Sequence, residues 1–428
     1  MKKIITRSAF ILFGLSSLSF AGEATNSGDT AWLLISTALV LFMVPGLAFF
    51  YGGMVRSKNI LATLMHSLTA LGVMTLHWFV LGYSLAFGEG NAFIGDFSQV
   101  FLRGMGPETV RGTIPGYLWF AFQATFACIT PALIAGAFAE RVKFSTYIIF
   151  ILLWGTFVYD PVCHWVWAEK GWLFTEGAID FAGGTVVHII SGVAGLVSCL
   201  ILGKRNGFPN QPMLPHNLAY TVLGAGILWF GWFGFNAGSA LTAGASASLA
   251  FVNTLVAPGG GLLGWLLAEK IHLGKASTLG AVSGIVAGLV AVTPAAGSVQ
   301  PGSAIMLGFL TSVVCYFAIS LKHKLGYDDS LDAFGIHGVG GAMGALGCGI
   351  FASVGFNSLL FTGNPDGTPG LTQFIIQAKS VAVTALYSII VTSILVWVLD
   401  KTLGFRVATE EESRGLDISL HGENAYNS

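Results

Sequence analysis

Two histidines sit where a charge is hard to keep. His188 closes the stretch Asp180-Phe181-Ala182-Gly183-Gly184-Thr185-Val186-Val187-His188, which opens an apolar segment running to about residue 202. His337 holds a comparable place in Asp332-Ala333-Phe334-Gly335-Ile336-His337-Gly338. Ionisable groups that deep in a membrane-length segment are costly and mark functional sites by default. Each ring could be a neutral imidazole bonded to a neighbouring helix. Alternatively, the two line a narrow path together, one donating to the other. Such a pair titrates as a unit and does not readily hold two charges. The matched placement favours the path.

Aromatic residues add a second constellation. Phe122 and Phe126 are four apart and share a helix face, and Trp232, Phe235 and Ser239 follow at spacings of three and four. Trp167 ends an apolar segment in Tyr159-Asp160-Pro161-Val162-Cys163-His164-Trp165-Val166-Trp167. Taken singly, each is an ordinary core or membrane-belt aromatic. Taken together, a Trp and a Phe at a mouth beside a serine hydroxyl suit a small cation, which aromatic faces attract by about 0.5–2 kcal/mol. Asp180 precedes a Gly-Gly helix start and reads first as an N-cap. An electrostatic contribution to a cation site is compatible with capping.

The elements that must position these groups are membrane helices. Of 428 residues, 54% are hydrophobic and 10% charged, too little charge to cover a soluble surface. The formal charge of −1, with no block of like charges, leaves nucleic-acid binding without an electrostatic footprint. The five cysteines lie in or beside apolar segments with no CxxC pair, so free thiols are expected, and no metal site or cofactor is indicated. Charge-poor segments of spanning length fall at about 30–51, 61–87, 117–138, 145–167, 183–202, 218–235, 247–267, 278–292, 304–321, 334–351 and 381–399. The expected fold is an all-α polytopic membrane protein of eleven transmembrane helices.

Lys2, Lys3 and Arg7 before a short apolar run and Ser19-Phe20-Ala21 predict a signal peptide over 1–21. The transmembrane domain then covers 22–400 and a cytoplasmic tail 401–428. Alternate loops carry Arg56, Lys58, Arg141, Lys143, Lys204, Arg205, Lys270, Lys275, Lys322 and Lys324, whereas the opposite loops offer Arg103, Arg111, Lys170 and Lys379. This asymmetry predicts N-out, C-in. The two outside connections 88–115 and 356–370 are rich in turn residues. An Asp and a buried His recur in Gly-rich segments ending each set of five helices, which suggests a five-plus-five inverted repeat with one extra helix. Inverted repeats place a site near the midplane, where His188 and His337 would meet.

Asp180–His188, Gly231–Ser239, Phe122–Cys128 and Phe334–Gly338, with the ending 415–426, resemble the Amt/Mep/Rh ammonium transporter family, bacterial Amt branch. The resemblance covers essentially the whole mature chain. It implies a homotrimer in the cell inner membrane, each subunit conducting ammonium as ammonia, with methylammonium as a second substrate. Trp167, Phe126 and Ser239 would form the outer ammonium site, Phe122 would neighbour it, and Asp180 would support it. Phe126 and Phe235 would stack as a gate, and His188, His337 and Trp232 would line the pore. A PII-type nitrogen regulatory protein would dock at the cytoplasmic face and tail. Cys163, at a position where alanine is more usual, and Lys170 and Trp172, in a loop of different length, depart from the pattern. An ammonium sensor acting through a docked PII-type protein and an Rh-like gas channel are the rival readings. An enzyme is not expected, as no nucleophile–base pair stands out.

Overall fold

The computed structural model describes residues 25–352 and 371–426. The expected signal peptide and the turn-rich connection 356–370 lie outside the described residues. Hydrocarbon offers backbone groups no water, so spanning segments must satisfy their own hydrogen bonds as helices. Among the described residues there are eleven helical spans. They are α1 (Ser27–Met54), α2 (Ser57–Phe87), α3 (Gly116–Ile134), α4 (Phe144–Thr175), α5 (Gly184–Leu202) and α6 (Leu218–Gly238), then α7 (Ala245–Leu273), α8 (Thr278–Ala295), α9 (Pro301–Leu325), α10 (Phe334–Phe351) and α11 (Leu371–Thr402). The protein is a multi-pass membrane protein. Every segment marked by its apolar run is a helix, and the boundaries move by a few residues at most places.

The largest difference is α11, which begins at Leu371 rather than near 381. Gln373 and Gln377 read as loop residues, yet both are buried. Gln377 accepts from the Ile179 N–H at 2.7 Å and donates to its carbonyl at 2.7 Å and to the Ala345 carbonyl at 3.1 Å. A side-chain amide that copies a backbone pairing can be buried without loss. The connection between α2 and α3 carries a two-stranded antiparallel ribbon, β1 (Val110–Arg111) with β2 (Ile114–Pro115), in which Val110 pairs with Pro115.

Four spans contain a π-helical turn: Trp78–Gly82 in α2, Gly155–Tyr159 in α4, Gly184–Ile189 opening α5 and Phe334–Gly338 opening α10. Such turns concentrate at functional sites. All five cysteines are buried free thiols.

On the face of the bundle that holds the C-terminus, a buried ionic cluster joins four connections. Glu140 accepts from Arg56 at 2.7 Å and from Arg205 at 3.1 Å; Arg205 also grips Asp328 at 2.8 Å, and Arg141 donates to the Asp328 carbonyl at 2.6 Å. Burial would push the carboxyls of Glu140 and Asp328 up, but the flanking guanidiniums overcome it and hold both below the ordinary carboxylate range. The tail is not the free, solvated strand its polarity suggests. The Asp417 carboxylate accepts from the N–H groups of Leu61 at 3.1 Å and Ala62 at 2.9 Å, at the N-terminal turn of α2, where a negative charge is favourable. Leu416 is fully buried, and Arg406 pairs with buried Glu412 at 2.7 Å. A handful of anchoring side chains among charged neighbours is what composition alone conceals.

Candidate functional site

The site begins at Asp180. Its Oδ1 accepts from the N–H groups of Gly183 (3.0 Å) and Gly184, and its Oδ2 from those of Thr185 (2.9 Å) and Val186 (3.1 Å) and from the Thr185 hydroxyl. These are the orphan donors of a helix start, satisfied by one carboxylate. The turn requires Gly183, whose φ of 113° is a left-handed conformation. The Asp180 carbonyl accepts from the Trp167 indole at 2.9 Å. One residue therefore fixes both the first turn of α5 and the Trp167 ring of α4. Its carboxylate oxygens are thus occupied by four backbone N–H groups and the Thr185 hydroxyl.

From Trp167 a continuous column of rings runs inward. Trp167 meets Phe126 edge-on at 5.5 Å between centroids, Phe126 meets Phe122 at 5.1 Å, and Phe126 overlies Phe235 at 4.3 Å and 31°. Phe235 lies 6.1 Å from His188, which stacks on Trp232 at 5.5 Å and on His337 at 5.2 Å and 15°. Ser239, one turn beyond Phe235, donates to the Phe235 carbonyl at 2.8 Å, which leaves its oxygen lone pairs to accept. The Trp232 N–H is taken by Thr293 at 2.9 Å.

His188 and His337 approach Nδ1 to Nδ1 at 3.2 Å, both buried. The crossing of α5 and α10 allows it: a Cβ on Gly192 would lie 2.1 Å from the Gly338 nitrogen. A hydrogen bond between two Nδ1 atoms needs one hydrogen between them. In the neutral pair the donating ring then has a bare Nε2, and the other carries its hydrogen on Nε2. The pair presents one acceptor and one donor. Around it Leu47, Phe50, Ile129, Leu133, Leu228 and Val286 enclose about 10 Å³ of space for the centre of a water-sized sphere, near what one small molecule requires.

The α10 start repeats the α5 start, with a change of residue. Asp329, not Asp332, caps it, accepting from Ala333 N–H at 3.1 Å and Phe334 N–H at 2.8 Å. Asp329 stands eight residues before His337, as Asp180 stands eight before His188. Burial pushes the Asp329 carboxyl up to about 6, against the pull of Lys322. Asp332 pairs with Lys322 instead. The equal spacing could have identified Asp329; nothing in the sequence identified Gln377.

An eleven-span bundle in which two capped helix starts bring His188 and His337 together among apolar side chains is the core of a multi-pass membrane protein. A sequence profile of the Ammonium Transporter Family matches residues 31–426, and the chain belongs to that family. It is 48% identical over 402 residues to an ammonium transporter of Bacillus subtilis, covering 93% of this chain and 98% of that one. It is 51% identical over 427 residues to an ammonium transporter of Aquifex aeolicus, covering 97% and 98%. Among solved structures it is similar to Mep2 of Saccharomyces cerevisiae, with TM-score 0.83, 36% identity, and 91% and 89% of the two chains covered. A structure described as a sensor Amt protein matches with TM-score 0.85 and 29% identity over 92% and 98%.

Proposed function

We propose that this protein is an ammonium transporter that recruits the cation, strips it of a proton and conducts ammonia. The single observation that carries the reading is the unbroken ring column from Trp167 to the neutral His188–His337 pair, enclosed by apolar side chains. Moving a bare monovalent ion into such an interior has an idealised cost on the order of 20 kcal/mol. A cation–π contact of about 2 kcal/mol does not offset it. Ammonium can shed its charge, at about 1.4 kcal/mol for each unit between its pKa and the local pH. Potassium cannot.

In this mechanism Trp167, Phe126 and the Ser239 oxygen hold ammonium at the mouth with Phe122 alongside, while Asp180 fixes Trp167. The Phe126–Phe235 pair closes the path and must part for passage. Ammonia then meets the one acceptor and one donor that the histidines present, beside Trp232, and the proton crosses separately. The protein works as a homotrimer in the cell inner membrane, N-out and C-in, after loss of residues 1–21. The two Asp-to-His spacings of eight support an inverted repeat. The folded tail and the ionic cluster beneath it form the face on which a PII-type regulator would dock.

Proteoliposome uptake of ammonium, methylammonium and potassium, with and without a membrane potential, tests the reading. Ammonium and methylammonium should enter while potassium does not. Potassium entry at a comparable rate would overturn it.

A further inference from the structure

Of the four π-helical turns in the spans, two hold the histidines of the path, and the other two flank a second ionisable pair. His77 immediately precedes the turn in α2, and Asp160 immediately follows the turn in α4. Asp160 is 0% exposed and His77 7%. His77 Nε2 lies 2.9 Å from the Thr156 hydroxyl oxygen and 3.5 Å from Asp160 Oδ2. The Thr156 hydroxyl already donates to the Leu152 carbonyl at 2.9 Å, so its contact with His77 is one in which it accepts. Nε2 therefore carries the imidazole hydrogen.

The remaining atoms settle the charge. His77 Nδ1 and both Asp160 oxygens have no hydrogen-bond partner among the described residues. An imidazolium would strand an N–H at Nδ1. An ionised Asp160 would be a desolvated carboxylate that accepts no hydrogen bond, with the nearest imidazole N–H 3.5 Å away, the most costly state available to it. A neutral imidazole beside a neutral carboxylic acid avoids both. The titratable neighbours in electrostatic reach are Tyr159 and Cys163 on α4, with Cys128 of α3 acting on Tyr159. Arg111, stacked over Trp119 at 4.4 Å, and Asp180 act on Cys163 but form no bond to the pair.

The pair is separate from the ammonia path. Helix α3 turns Phe126 toward Phe235 and Cys128 toward Thr75, at 3.3 Å, two residues before His77. His77 and Asp160 thus lie behind α3. We propose that Asp160 is a second proton-binding site, a carboxylic acid holding one exchangeable proton beside neutral His77. Its ligand is the proton, held on a carboxyl whose Oδ2 lies 3.5 Å from the His77 ring.

Infrared difference spectra of the full chain in lipid vesicles at neutral pH test this, wild type against Asp160→Asn. The expected difference is one protonated-carboxyl stretch, absent from the variant and shifted in deuterium oxide. His77→Gln should keep the band and alter its frequency. A difference containing only carboxylate bands, or a carboxyl band that does not move in deuterium oxide, overturns the proposal. If Asp160→Asn does not fold, nitrogen-15 histidine spectra of the wild type decide: His77 should be the neutral Nε2–H tautomer, and an imidazolium signal refutes the assignment.

Discussion

Asp180→Asn separates the charge of this side chain from its shape. In the native site Oδ1 serves two backbone N–H groups, and Oδ2 serves two more and the Thr185 hydroxyl. Replacing either oxygen with an amide NH2 strips at least two buried N–H groups of their acceptor. Each group left unmade costs about 1–3 kcal/mol, so the helix start loses about 2–6 kcal/mol. The loss falls on the turn that aims His188 and on the loop whose carbonyl holds Trp167. The purified variant should therefore melt at a lower temperature, and its ammonium-evoked current on a solid-supported membrane should fall with it. A variant that melts like wild type while only its half-saturating ammonium concentration rises would show that the charge acts on the cation directly. That result would refute the positioning role.

Other substitutions read different parts of the site. His188→Glu or His337→Glu places a carboxylate in the dry path, and potassium uptake into proteoliposomes should appear where wild type shows none. Trp167→Leu removes a cation–π face and should raise the half-saturating ammonium concentration about 2–30-fold, the equivalent of about 0.5–2 kcal/mol. Gly192→Val drives a side chain into the Gly338 backbone. It should part the histidines and abolish ammonium uptake, measured alongside surface expression. The carboxyls of Glu140 and Asp328 have folded values below their unfolded ones, so the ionic cluster contributes fully above about pH 4.5 and is lost as pH falls through the folded values. Melting temperature against pH should show that acid loss, and Glu140→Gln with Asp328→Asn should flatten it.

Most of the fold was legible because hydrocarbon imposes one rule. A charge-free run of about twenty residues has few structures open to it besides a helix, and eleven such runs gave eleven spans. The ring column was legible by spacing, since Phe122 with Phe126 and Trp232 with Phe235 and Ser239 fall on common helix faces. Spacing says nothing of which helices cross, so the 3.2 Å approach of His188 and His337 required coordinates. Gln377 was missed because it imitates a backbone partner, and a lone glutamine carries no mark of that use. His77 and Asp160 were missed for a related reason: eighty-three residues separate two polar groups that only the packing of α2 on α4 brings together.

In the proposed mechanism, the single hydrogen shared by His188 and His337 gives the conduit a direction. Were a proton to hop along the two rings, the shared hydrogen would change owner, and the end that accepted would now donate. Turning either ring about its Cβ–Cγ bond leaves the hydrogen on the same nitrogen, so only a return transfer restores the starting order. A neutral passenger leaves the arrangement as it found it. The conduit is therefore ready again at once for a molecule without charge, while each proton hop would leave it reversed and waiting to be reset.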